Sequence, residues 1–240
     1  MADIEIDQTK PDAGAPAPVI PNVLAARYAS SYMAALWSPQ GKVVLERELW
    51  IAVLEAQREL GIDVPGDALD AYRAVLHQVD LASIDERERL TRHDVKSRIE
   101  EFAELAGYEH IHKGMTSRDL TENVEQLQIR RSLLIIRDRI VATLVRMGDR
   151  AIEYSELVMT GRSHNVPAQA TTLGKRFANA GEELLQALAR IEDLIARYPL
   201  RGIKGPVGTQ QDQLDLLVEP DLVDDLERRV ASHLGFTEVL

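Results

Sequence analysis

The sequence predicts an all-α fold in which an N-terminal helical domain is followed by the first long helices of a central helical bundle. Three observations lead there. From Thr116 to about Thr160 there is no proline and a single glycine, Gly148, which allows a helix of roughly 40 residues, about 60 Å at 1.5 Å per residue. Along it two runs, Leu120, Val124, Leu127 and Leu134, then Ile140, Leu144, Met147 and Ala151, each recur at spacings of three, four or seven, the stripe of a helix packed on other helices. No internal repeat and no run of strands interrupts this pattern.

Residues 1–21, rich in Ala, Pro and Asp and without an apolar period, are expected to form a disordered arm, because they bury too little surface to offset the entropy of ordering. Residues 22–112 are expected to form the N-terminal helical domain. A helix from Val43 to Leu60 presents Val44, Leu49, Val53, Leu54 and Leu60 and is stopped by Gly61 and Pro65. A second runs from Ala68 to Val79. A third, from about Asp85 to Ala106, is interrupted or entered near Thr91–Asp94, and 107–114 connects to the long-helix region.

Residues 113–240 are expected to be an incomplete central bundle domain. After the first long helix, Gly161–Arg176 (GRSHNVPAQATTLGKR) reads as a polar turn. Pro167 suits the first position of the next helix, where a missing N–H costs nothing. Leu173, Phe177, Ala180, Leu184, Ile191 and Leu194 then continue the period to Tyr198–Pro199. Long helices joined by a short connection pack antiparallel, so His164 is expected at one end of the bundle, where its imidazole is available for proton transfer. Arg201–Gln213, with three glycines and a proline, is a structured loop, and Asp215–His233 returns to helix.

Composition narrows the function classes. With 240 residues, 45% hydrophobic and only 5% aromatic, the core is built from aliphatic side chains. The absence of cysteine excludes disulfides and thiolate metal sites. No N-terminal apolar run is flanked by basic residues, so neither secretion nor membrane insertion is expected, and the location is expected to be cytoplasmic. A formal net charge of −11 without a basic patch argues against nucleic-acid binding. It leaves room for a small anionic ligand, which needs only a few local cations.

Three segments, GMTSRDLTEN (114–123), GRSHNVPAQATTLGKR (161–176) and RGIKGPVGTQ (201–210), resemble the adenylosuccinate lyase family, a member of the fumarase, aspartase and argininosuccinate lyase superfamily. AARYAS (25–30) and TRHDVK (91–96) resemble its purine branch, so the likeness extends over the chain from Asn22 onward. The resemblance implies anti elimination of fumarate from adenylosuccinate, giving AMP, and from the succinylated aminoimidazole carboxamide ribotide of purine synthesis. It implies no metal and no organic cofactor, and a homotetramer whose active sites are each shared between subunits.

That chemistry needs a base, an acid for the departing nitrogen, and donors for the charge growing on a carboxylate. By resemblance His164 is the general acid. Thr116 and Ser117 bind a carboxylate, hydroxyls at a helix start being suited to an anion. Arg27 and Tyr28 hold the nucleotide phosphate. Arg92, His93 and Asp94 line the pocket, with a supporting catalytic role for His93. Gln210 offers an amide that both donates and accepts, and Lys204 and Thr209 are nearby candidates.

Taken alone each has a plainer account. His164 and His93 could cap helices, Thr116 or Ser117 could be an N-cap, and an Arg-Tyr pair is commonly surface.

The superfamily's serine-containing loop, of the SSxMPxKxN kind, does not occur in these 240 residues. The serine base, the remaining bundle helices and a small C-terminal domain are therefore expected outside them, the chain corresponding to the N-terminal half to two-thirds of the enzyme. Two other readings remain at this point: another superfamily member such as argininosuccinate lyase, and a non-catalytic helical binding module.

Overall fold

Most helices begin where a side chain takes an N–H that the first turn leaves unpaired. In the computed structural model, which describes residues 22–240, the elements are α1 (Val23–Tyr28), α2 (Ser31–Leu36), α3 (Pro39–Glu59), α4 (Ala68–Ala74), α5 (Leu81–Thr91), α6 (Asp94–Ala106), α7 (Ser117–Glu153), β1 (Val158–Ser163), β2 (Val166–Thr172), α8 (Leu173–Arg197), α9 (Gln211–Leu217) and α10 (Pro220–His233). The arm expected over 1–21 lies outside the described residues. Ser38 caps α3 by accepting from Gly41 N at 2.9 Å, with Pro39 following it. Asp80, His93 and Thr172 cap α5, α6 and α8 in the same way.

The core forms around α3. Its Leu45, Leu49, Trp50, Val53 and Leu54 are buried against Tyr72 of α4 and Phe102 of α6, with the Trp50 and Phe102 rings stacked at 6.2 Å and those of Tyr72 and Phe102 at 4.9 Å. Leu120, Val124 and Leu127 from the start of α7 join the same core, as do Leu200, Ile203 and, from α10, Val223, Leu226 and Val230. Each such aliphatic side chain contributes about 1.5–3 kcal/mol by leaving water.

Past Gln128, α7 leaves this core and runs antiparallel to α8 as a two-helix arm. The expected stripe continues there, but Leu134, Ile140, Leu144, Met147 and Ala151 are only half-buried, and Val145 (60%) and Leu185 (55%) stand exposed. Gly174 closes the arm, because a Cβ at that position would collide with Ala151 O.

Several elements differ from expectation, among them the loop expected over Arg201–Gln213, which is helical from Gln211, and the helix expected over Asp215–His233, which is broken between Leu217 and Pro220. The first long helix ends at Glu153 rather than near Thr160, and the polar turn is a β-hairpin, β1 pairing antiparallel with β2. β-branched Val158, Thr160, Val166, Thr171 and Thr172 favour extended backbone. His164 (φ +50°) and Asn165 (φ +65°) form the two-residue connection, in the left-handed conformations that a tight hairpin turn demands. Pro167 therefore lies in β2, not at the start of α8. It sits where the register slips between Gly161 and Arg162, a place where a missing donor is tolerated. The helix expected over Ala68–Val79 also ends early, at Ala74. The buried Arg47 guanidinium takes the carbonyls of Val75 (2.8 Å) and Leu76 (3.0 Å), holding that chain out of helical geometry.

Arg47 also pairs with buried Glu101. Beside it Glu46 is fully buried, with Oε1 accepting from Arg98 Nη1 at 2.9 Å and Oε2 without a protein partner among the described residues. Burial raises the Glu46 pKa from 4.5 to about 7, against the pull of Arg98 and Lys42. The sign follows from linkage: a raised folded pKa favours the protonated fold, and that advantage is lost as pH rises from about 4.5 towards 7. Glu46→Gln does not titrate, so its stability relative to wild type is expected to rise by about 3 kcal/mol between pH 4.5 and 7.5, read by urea denaturation at both pH values. A constant difference between the two would show that burial does not raise the Glu46 pKa.

Candidate active site

Two segments meet at the base of α7. Thr116 precedes the helix, and its N–H donates to Asp119 Oδ2 at 2.9 Å, with its hydroxyl on the same oxygen at 3.3 Å. Ser117 opens the helix with a hydroxyl free of protein partners among the described residues. Across from them lies the glycine-rich segment 201–210. Its Lys204 and Gly205 N–H groups donate to Asp119 Oδ1 at 2.9 and 3.0 Å. Gln210, at φ +55°, donates from its N–H to Lys204 O at 3.1 Å and from Nε2 to Ile203 O at 3.4 Å.

The cations of this segment are taken up internally. Arg201 pairs with Asp119 at 2.6 Å and Glu122 at 2.5 Å, and Lys204 Nζ with Glu227 at 2.8 Å. Thr209 makes no side-chain hydrogen bond among the described residues.

Arg92, His93 and Asp94 form the junction between α5 and α6. Arg92 ends α5 at φ +53° and its side chain is exposed, with no ion-pair partner among the described residues. His93 caps α6 through Nδ1, which accepts from Lys96 N at 3.2 Å, leaving Nε2 unengaged by protein among the described residues. Asp94 lies 3.5 Å from Arg98.

The other candidates lie apart from this cluster. α7 spans 37 residues, about 55 Å, and the hairpin bearing His164 is at its far end. There, among the described residues, the ring is engaged only by Ser163 Oγ, at 3.0 Å from Nδ1, while Arg162 Nη1 steadies the turn by donating to Asn165 O at 3.0 Å. Six residues of strand can return at most about 20 Å, so His164 cannot meet Thr116 within one chain. Arg27 and exposed Tyr28 end α1. The adjoining Ala29 and Ser30 line a groove of about 410 Å³ with Ile136, Arg139 and Ile140 of α7, roughly 20 residues along the helix from Thr116, or about 30 Å.

His112, in the 107–114 connector, carries no motif signal in the sequence. Its Nδ1 accepts from Trp50 Nε1 at 2.9 Å, so the neutral ring carries its proton on Nε2. Burial lowers its pKa to about 4, opposed by Asp119 and reinforced by His93. Its φ is +65°. Among the described residues six non-glycine residues have positive φ, and four of them are Arg92, His112, His164 and Gln210; such conformations cost about 1–3 kcal/mol and cluster at functional sites. Backbone strain is thus the signal that adds His112 to the candidates.

Because the folded pKa of His112 lies below the ordinary 6.5, the unfolded chain takes up a proton that the fold refuses, and stability falls as pH drops from about 6.5 to 4. The loss from this group is expected to reach about 3 kcal/mol. His112→Asn keeps an acceptor for Trp50 and tolerates the left-handed backbone, so it should lose correspondingly less stability over that window. Equal losses in the two proteins, measured by urea denaturation at pH 7 and 4.5, would refute the buried neutral ring.

A family model described as lyase matches residues 30–223. The chain is 36% identical to adenylosuccinate lyase of Saccharomyces cerevisiae over 90% of its own length and 46% of that protein's. It is 33% identical to adenylosuccinate lyase of Methanocaldococcus jannaschii, over 89% of this chain and 46% of the relative. The chain therefore spans about half the length of the curated relatives it matches. A crystal structure of fumarate lyase from Mesorhizobium sp. BNC1 superposes with a TM-score of 0.73 at 23% identity, over 92% of this chain and 51% of that one. The 3-carboxy-cis,cis-muconate lactonizing enzyme of Pseudomonas putida also gives 0.73, at 18% identity, over 90% of this chain and 50% of that one. These two share the fold. With its model covering well over half of the residues, the lyase family is the one to which this chain belongs.

Proposed function

We propose that this chain belongs to a lyase that eliminates fumarate from adenylosuccinate to give AMP, and from the succinylated aminoimidazole carboxamide ribotide, in purine nucleotide synthesis. The observation that carries this reading is the match to adenylosuccinate lyases over 81–90% of the chain in three organisms, beside five segments that resemble that family in order. His164 is the acid that protonates the departing amine. Thr116 and Ser117 bind a substrate carboxylate at the start of α7. Arg27 and Tyr28 take the phosphate, and Arg92, His93, Asp94 and Gln210 line the pocket, with His93 assisting catalysis. His112 joins them as a neutral ring whose charged form His93 disfavours and Asp119 favours. The base is a serine on a segment outside these residues, and the chemistry asks for no metal or organic cofactor.

The length of α7 makes assembly part of the mechanism. Two copies packed antiparallel along their arms place the His164 hairpin of one beside the Thr116–Ser117 turn of the other, which the roughly 55 Å between them forbids within a chain. The exposed Ile136, Val141, Val145 and Leu185 of the arm supply apolar surface for that packing. We infer a cytoplasmic homotetramer with shared sites; no described helix is long and apolar enough to cross a membrane. The division into a helical domain over 22–112 and a central-bundle domain from 113 belongs to the same proposal.

The test is fumarate release from adenylosuccinate by the protein containing this chain, with argininosuccinate as the control substrate. His164→Asn is expected to lower kcat by about 10²–10⁴-fold with a much smaller change in KM. Release from argininosuccinate alone would overturn the substrate, and an undiminished kcat in the variant would remove His164 as the acid.

A further inference from the structure

We propose that Asp119 is the positioning residue that couples the Thr116–Ser117 turn to Gln210, an inference that rests on the substrate-binding roles given above to those residues. Asp119 is fully buried, and both carboxylate oxygens are occupied. Oδ2 holds Thr116, and Oδ1 holds the N–H groups of Lys204 and Gly205 together with the Arg201 guanidinium. A single group thus ties together two chain segments more than 80 residues apart in sequence.

Neighbouring side chains extend the hold. Asn123, one turn on, accepts from Gly202 N at 3.0 Å and donates to Gly202 O at 2.9 Å. Gln126 accepts from Arg201 N, and Glu227 of α10 accepts from Ile203 N at 2.9 Å. Five consecutive N–H groups, from Arg201 to Gly205, are therefore each taken by a side chain, three of the four acceptors lying at i, i+4 and i+7 on one face of α7. Gln210 hangs from the far side of this segment: its N–H and its side-chain amide donate to the carbonyls of Lys204 and Ile203. The left-handed backbone at Gln210 is held by these contacts, and the Lys204 peptide is held by Asp119.

An aspartate is required because five donors converge on two oxygens. Asparagine would turn an NH₂ towards either the Thr116 or the Lys204–Gly205 donors, orphaning them, and would leave Arg201 with Glu122 alone.

Native-state hydrogen exchange on the wild-type chain tests the coupling without a variant. The amides of Thr116, Lys204 and Gly205 are expected to share one opening free energy and one denaturant dependence, distinct from that of Gly208. Independent openings of Thr116 and of the Lys204–Gly205 pair would overturn the proposal.

In the enzyme, the folded fraction of Asp119→Asn is expected to show KM for adenylosuccinate raised by about tenfold or more. A residue that merely supports the fold would lower apparent kcat through lost active molecules and leave KM unchanged, and that outcome would also overturn it. A wild-type protein releasing no fumarate would refute the substrate reading alone, and the exchange comparison would still decide the role of Asp119.

Discussion

The capture of the 201–205 backbone by side chains of α7 and α10 is the interaction on which the rest of the molecule depends. A segment with three glycines within seven residues has a high entropy cost of ordering and no ladder to pair its N–H groups. Buried N–H groups without partners cost about 1–3 kcal/mol each. Asp119, Asn123, Gln126 and Glu227 replace the missing strand partner, which lets Ile203 and Leu200 enter the core beside Leu120 and Leu226. That same contact roots α7, so the direction in which the long arm leaves the core is set by the residues that order the loop.

Much of the fold is legible because it is written in apolar spacing. The α7 and α8 stripes, the stop at Gly61 and the break between α5 and α6 all rest on local rules that tertiary structure does not override. The hairpin escapes for a local reason too: a proline beside a polar turn serves a helix start as well as a bulged strand, and only the β-branched residues on either side of His164–Asn165 separate the two. The early end of α4 has a non-local cause. Nothing between Val75 and Val79 forbids helix, and the carbonyls are withheld by Arg47, nearly 30 residues upstream.

The site is legible as a set of segments but not as a place. Among the described residues Thr116 and Gln210 are linked only through Asp119 and the 203–205 backbone, whereas Arg27, Tyr28 and His164 lie elsewhere along the arm, a separation that follows from the length of a helix and that motif order alone does not carry. Asp119, Asn123 and Gln126 are invisible to apolar spacing because each sits one position before a core residue, Leu120, Val124 or Leu127. A polar triplet at helical spacing beside that stripe is the signal that identifies them: three polar groups at the edge of a core need partners, and a glycine-rich loop has donors to offer.

Electrostatics then divides the cations into two kinds. Arg201 and Lys204, in the glycine-rich segment, are matched to Asp119, Glu122 and Glu227, so their charge holds the loop closed on itself. Arg92 is exposed without an ion-pair partner among the described residues, beside a histidine whose Nε2 no described protein group engages. In a chain of net charge −11 the proposed nucleotide would approach against the mean field, and attraction must come from uncompensated local charge. The group that meets this condition, Arg92, stands at the α5–α6 junction. The cations and the 201–205 N–H groups of the glycine-rich loop are taken up by α7 and α10, so on the proposed reading the charge for the ligand comes from elsewhere.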